Sequence, residues 1–176
     1  AAIGNLVADA LRASVGADVA ITNGGGLRAD KEYQAGQKLT RRDILAEMPF
    51  GNTTVLLEVT GDKIKAALEN GVSQLRELGG RFPQVSGMVV EVDTKQPPGS
   101  RIKSVTINGQ PLDPAKTYKL ATNDFMARGG DGYRAFADAK QLIDVAASQL
   151  MASQVIDYVA KAGKVAPKVE GRVVLR

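Results

Sequence analysis

The sequence predicts a mixed α/β fold, and three observations carry that prediction. Short β-branched stretches alternate with segments whose apolar residues recur at helical spacing. The middle of the chain is strand-rich and punctuated by turn signals, Pro97-Pro98-Gly99 and Asn108-Gly109, which imply several antiparallel pairs. Length agrees: 176 residues suit one domain with a real core.

The elements follow in order. Ile3, Leu6, Val7, Ala10 and Leu11 mark an amphipathic helix over residues 3–14. The chain enters that helix abruptly, with no cap or targeting signal before it, as expected of a fragment or processed product. Asp18 to Thr22 reads as a strand running into Asn23-Gly-Gly-Gly-Leu-Arg28. Thr40 opens a second helix, with Asp43 as the capping-box acid and an end near Met48-Pro49. Thr53 to Val59 alternates as a strand. Ile64, Ala67, Leu68, Val72 and Leu75 then mark a longer helix stopped by Gly79-Gly80. Strands are expected at Met88–Val92, Ile102–Ile107, Tyr118–Thr122 and Leu142–Val145, a helix from Ala147 to Lys161, and a closing strand at Arg172–Leu175.

Composition narrows the chemistry. The chain has no Cys, which removes thiolate metal sites and cysteine nucleophiles. It has no His, which removes the commonest metal ligand and general base. Self-sufficient metal or triad catalysis is therefore not expected of these residues. The net charge of +4 admits an anionic partner. Basic residues are dispersed without interleaved aromatics, so a small anion such as a nucleotide fits better than a nucleic-acid polymer. No apolar run approaches the roughly 18 residues of a membrane span.

Glycine is the positive clue. Of 19 glycines, nine cluster in four places: Gly24 to Gly26, Gly51, Gly79-Gly80, and Gly129-Gly130 with Gly132. Glycine serves where backbone turns sharply or approaches a ligand closely. In Asn23 to Arg28, two readings stand: amides turned towards an anion with Arg28 as a cationic fork, or a plain turn. Phe50, between Pro49 and Gly51, either offers an exposed ring face or packs inward. In Asp124 to Tyr133, Asp131 suits vicinal hydroxyls, and Phe125 and Phe50 together would give a flat base two stacking faces. The alternative is an Asx turn with Phe125 and Tyr133 in the core.

Taken in order, Asn23-Gly-Gly-Gly-Leu-Arg28, Pro49-Phe50-Gly51-Asn52 and Asn123-Asp-Phe125…Gly129-Gly-Asp131-Gly-Tyr133 resemble the C-terminal domain of the 5′-nucleotidase family. That family includes UDP-sugar hydrolases and 2′,3′-cyclic nucleotide phosphodiesterases. Ile3-Gly-Asn-Leu-Val-Ala-Asp9, Phe82-Pro-Gln-Val-Ser-Gly87, Leu112-Asp-Pro-Ala-Lys-Thr-Tyr118 and Val169-Glu-Gly-Arg172 extend the resemblance over essentially the whole chain, 1–176.

The resemblance implies a four-layer α/β/β/α sandwich that binds the nucleoside part of a nucleotide. It also implies a separate N-terminal metallophosphoesterase domain, absent from this sequence, holding two divalent metal ions and the catalytic residues. No catalytic residue, metal ligand or cofactor is expected in this chain, which alone is expected to be inactive. By the same resemblance, Phe50 and Phe125 would sandwich the base and Asp131 would hold the ribose hydroxyls. Arg28 would contact the ribose-phosphate side and Asn23 the base or ribose. Gly25 belongs to the binding loop; Gly80, Asn52 and the loop before Phe82 would line the rim. Arg128 either adds a phosphate contact or faces solvent. The resemblance also implies a periplasmic or extracellular setting. A non-catalytic nucleotide-binding or interaction module with the same fold is the alternative.

Overall fold

The computed structural model describes residues 1–28, 31–77 and 79–176. Helix α1 (Ala2–Val15) buries Leu6, Val7, Ala10 and Leu11 along one stripe. It ends at Gly16, whose left-handed φ of 63° lets a C-terminal turn close without a Cβ penalty. Strand β1 (Val19–Asn23) follows, buried throughout. Helix α2 (Arg41–Glu47) carries the expected capping box: Asp43 N donates to Thr40 Oγ1 at 3.2 Å, and Thr40 N donates to an Asp43 oxygen at 2.9 Å.

Strand β2 (Thr54–Thr60) leads directly into helix α3 (Gly61–Gly71). This helix stops well before Gly79-Gly80, contrary to the apolar periodicity through Leu75. The reason lies far away in sequence: Arg101 Nη1 donates to the carbonyls of Val72 and Ser73 at 2.6 and 3.0 Å, capping the helix end with a cation. Four strands follow: β3 (Pro83–Ser86), β4 (Met88–Val92), β5 (Ile102–Ile107) and β6 (Gln110–Pro111). The hairpin between the last two turns on Asn108 and Gly109, both at positive φ, as its sequence predicts. Strand β3 is unannounced; it begins on a proline and shows no alternation, because both its faces are buried.

The remainder comprises β7 (Thr117–Asn123), α4 (Asp124–Ala127), β8 (Lys140–Gln141), α5 (Met151–Ala162) and β9 (Val173–Leu175). The strand expected at Leu142–Val145 is displaced to β8. Asp144 instead accepts from Ala146 N at 2.8 Å and folds residues 145–147 into a short 3₁₀ turn. Helix α5 consequently starts four residues later than expected, after Gln149 and Leu150 bridge to Thr54 and Thr53.

The strands form two mixed sheets, ordered β3-β1-β7-β2-β8 and β6-β5-β4-β9. Between them lies a core of large side chains, including Val19, Ile21, Leu57, Leu120, Val90, Val105 and Phe136, joined by Ile64 and Leu68 of α3. On the far face of the first sheet, Ala20 and Ala121 meet Val7, Ala8, Leu11 and Val155 of α1 and α5. Small residues on that face let the helices approach closely. The C-terminal segment is fastened by Arg172, which donates to both carboxylate oxygens of Asp9 at 2.7 and 2.9 Å and to the Val85 carbonyl.

Strand directions matter most for function. Strand β7 runs parallel to β1 and antiparallel to β2, and β3 runs antiparallel to β1. The C-terminal residues Asn23 and Asn123 therefore emerge at the same edge where Thr54 and Pro83 enter.

A Cβ at Gly61 would overlap the backbone carbonyl of Asp113. Gly61→Ala is therefore expected to lower unfolding free energy by about 1–3 kcal/mol in chemical denaturation. Replacement of exposed Lys63 by Ala should change it by less than about 0.5 kcal/mol.

Candidate functional site

The four chain segments at that sheet edge share hydrogen bonds. At its centre, Asn123 Oδ1 accepts from Met126 N at 2.8 Å, capping α4, while Asn123 Nδ2 donates to Asn23 Oδ1 at 3.0 Å. Asn23 Nδ2 in turn donates to Asp131 Oδ2 at 2.6 Å. Asp131 sits at a left-handed φ of 53°. Its loop is held by Asn70 Nδ2, which donates to the Asp131 carbonyl at 3.0 Å. Tyr133, buried behind it, donates its hydroxyl to the Arg81 carbonyl, and burial pushes its phenol well above the ordinary range.

Two aromatic rings flank this polar centre from neighbouring strand ends. Phe50 is 59% exposed and Phe125 40% exposed, so neither joins the core. Their loops are bound to each other through Asp124. Its Oδ1 accepts from Asn52 Nδ2 at 2.9 Å and Thr53 N at 3.1 Å, and its Oδ2 from Arg128 at 3.0 Å. Burial alone would raise the Asp124 carboxyl; these three donors outweigh it and hold it below the ordinary carboxylate range. Phe125 rests on Gly130, where a Cβ would fall 2.6 Å from the ring. Arg28 is exposed, its guanidinium 5.8 Å from the Phe50 ring centre. Beside Phe50 lies a cavity of about 410 Å³, walled by Met48, Asn52, Asn123, Leu150 and Met151.

Of the two readings of the glycine loop after β1, the geometry favours the turn: Gly24 N donates to Phe82 O, Gly25 N to Gly80 O, Leu27 N to Gly24 O and Arg28 N to Glu47 O. Those donors are consumed in holding the loop against its neighbours. Gly25 and Gly80 instead permit close approach of two backbones, since a Cβ on Gly25 would lie 3.0 Å from the Gly80 Cα. Arg128 is paired with Asp124 while remaining largely exposed.

Asn23, Gly25, Arg28, Phe50, Asn52, Gly80, Phe125 and Asp131 fall around one edge of the first sheet, joined by the hydrogen bonds above and, for the two rings, by the contacts of Phe50 with Arg28 and of Phe125 with Gly130. Asn70 and Asn123 join this site as well. Asn70 carries no local signal, since it lies in α3 and reaches the site only through tertiary packing. Asn123 was detectable as an N-cap preceding Asp124-Phe125. A second hollow, of about 540 Å³ around Arg12, Ser86 and Arg172, lies at the other end of β3. There Arg172 is spent on Asp9, and Arg12 Nε on Ser86.

Comparison with known proteins gives the class of domain that carries this edge. A profile of the 5′-nucleotidase C-terminal domain matches residues 1–138, and the chain belongs to that family. It is similar to the trifunctional nucleotide phosphoesterase protein YfkN of Bacillus subtilis (strain 168), at 39% identity over 97% of this chain and 12% of that protein. Similarity to the snake venom 5′-nucleotidase of Gloydius brevicauda is 37% over 88% of this chain and 27% of that one. The crystal structure of a 5′-nucleotidase precursor from Thermus thermophilus superposes with a TM-score of 0.88 at 35% identity, covering 98% of this chain and 35% of that one. The chain therefore spans well under half the length of these relatives.

Because the Asp124 carboxyl is held low in the folded state, its stabilising contribution is complete above the unfolded value of about 4 and is lost as pH falls through the lowered native value. The stability difference between the parent chain and Asp124→Ala should be constant from pH 7 down to about 4 and shrink below it. Thermal unfolding across that range measures it; a difference independent of pH would contradict the assignment.

Proposed function

We propose that this chain is the nucleoside-recognition domain of a nucleotide phosphohydrolase. The observation carrying this reading is the junction of the Phe50 and Phe125 loops through Asn52 and Asp124, beside the Asn23–Asp131 pair. Two exposed rings on tethered loops offer π-faces to a base, and a carboxylate at the same edge can accept from two vicinal hydroxyls. Arg28, exposed beside Phe50, lies where a cation would meet the ribose-phosphate side. Asn52, Gly25 and Gly80 form the rim.

In this reading the domain binds and orients while another part of the protein performs hydrolysis. Among the described residues no three acidic side chains are grouped so as to hold a metal ion, and the sequence has neither His nor Cys. These residues do not fit a metal centre. The two divalent ions that the family resemblance implies belong, in this reading, to an N-terminal catalytic domain, so no chemical step is assigned here. Among the described residues no helix is long and apolar enough to cross a membrane. Similarity to a venom protein supports a periplasmic or extracellular setting.

Titration calorimetry with adenosine and uridine tests the reading. The 176-residue chain is expected to bind a nucleoside weakly and to hydrolyse no nucleotide. Phe50→Ala and Phe125→Ala should each weaken binding about 5- to 150-fold, the equivalent of one stacking face. Undiminished affinity in the double variant would reject the sandwich, and robust hydrolysis by the chain alone would reject the division of labour.

A further inference from the structure

Asn123 is 2% exposed and forms part of the wall of the cavity beside Phe50, and it sets the direction of the hydrogen bonds that run from the α4 cap to Asp131. The Met126 amide can only donate, so the Asn123 oxygen must face it, at 2.8 Å. That leaves Asn123 Nδ2 to donate to Asn23 Oδ1, at 3.0 Å, and to Thr22 Oγ1, at 3.3 Å. The oxygen of Asn23 being so engaged, its Nδ2 points at Asp131 Oδ2, 2.6 Å away, and an ionised carboxylate can only accept. The order runs one way: backbone amide, first side-chain amide, second side-chain amide, carboxylate. Turning Asn23 over would set its oxygen against the Asp131 carboxylate. Turning Asn123 over would set its NH₂ against the Met126 N–H.

We infer that Asn123 is a positioning residue for ligand binding. It fixes the polarity of the Asn23 amide and, through it, the seat of the Asp131 carboxylate, while the same side chain caps the short helix bearing Phe125. Both hydrogens of its amide are already donated, to Asn23 and Thr22, so it acts through Asn23 and the Phe125 helix. Asp131 Oδ2 is held by Asn23, and Oδ1 is the oxygen that would accept from a ligand hydroxyl. This inference rests on the nucleoside reading of the site and extends it to how the carboxylate and one aromatic ring are set by a single buried amide.

The test is Asn123→Asp. A carboxyl group caps a helix as well as an amide does, so the fold is retained. When protonated, the introduced group donates O–H to Asn23 as the amide did; when ionised it can only accept, and the order collapses. Burial and the neighbouring Asp131 carboxylate disfavour the ionised form and raise the introduced carboxyl above its ordinary value of about 4, so adenosine affinity of N123D should fall about tenfold or more between pH 5 and pH 9, while the parent chain stays flat. Asp124, Asp131, Arg81 and Tyr133, the ionisable groups around the relay, are common to both proteins, so the difference between the profiles isolates position 123. Asn123→Ser, which keeps a capping acceptor but is too short to reach Asn23, should bind about tenfold more weakly at every pH.

Without ligand, the side-chain NH₂ resonances of Asn23 in N123D should shift with the same pH midpoint. A parent chain that binds neither adenosine nor uridine would overturn the nucleoside reading and the inference with it. Binding by the parent with a parallel flat profile in N123D, or Asn23 resonances indifferent to the substitution, would overturn the inference alone.

Discussion

The parallel pairing of β1 with β7 is the constraint on which the rest depends. Two parallel strands bring their C-terminal residues to one edge, and here those residues are Asn23 and Asn123. Antiparallel neighbours on either side, β3 and β2, return their own N-terminal ends to the same edge. Four loops that are distant in sequence are thereby forced into contact. Burial of β1 and β7 on both faces fixes the register, since a one-residue slip would exchange Ile21 with Ala20 and Leu120 with Ala121 between a roomy core and a tight helix interface.

Such an edge collects unpaired backbone groups along with side chains, and the structure satisfies them locally. The glycine loop after β1 spends its amides on Phe82, Gly80 and Glu47 carbonyls rather than holding them ready. The carboxylates at the edge are each engaged by neutral or cationic donors. Arg28 keeps its guanidinium exposed beside Phe50, and the loops become mutually braced parts of one surface.

Much of this was legible in the sequence. The capping box at Thr40, the Asn108-Gly109 hairpin and the stripe of α1 are local devices, so their residues announce them. The loops bearing Phe50, Phe125 and Asp131 were legible for the same reason, their glycines and prolines being unusual where they stand. What escaped was decided between distant residues. The end of α3 depends on Arg101, 29 residues beyond Val72; β3 has no alternation because both its faces are covered; Asn70 reaches Asp131 across 61 positions. The displaced strand near Leu142 is a case of a single side chain, Asp144, outcompeting β propensity for its own backbone.

The glycine beneath Phe125 has one more consequence. An exposed aromatic is usually free to rock against compressible side chains, but this ring lies on bare main chain at Gly130. Its tilt is inherited from peptide planes, which are stiff, instead of from rotamers, which are soft. A platform of that kind accepts any flat heterocycle equally well and adapts to none. In the proposed nucleoside reading, discrimination among bases then falls to the hydrogen-bonding perimeter: the surface contributing the contact area is indifferent to identity and the groups contributing least area decide it.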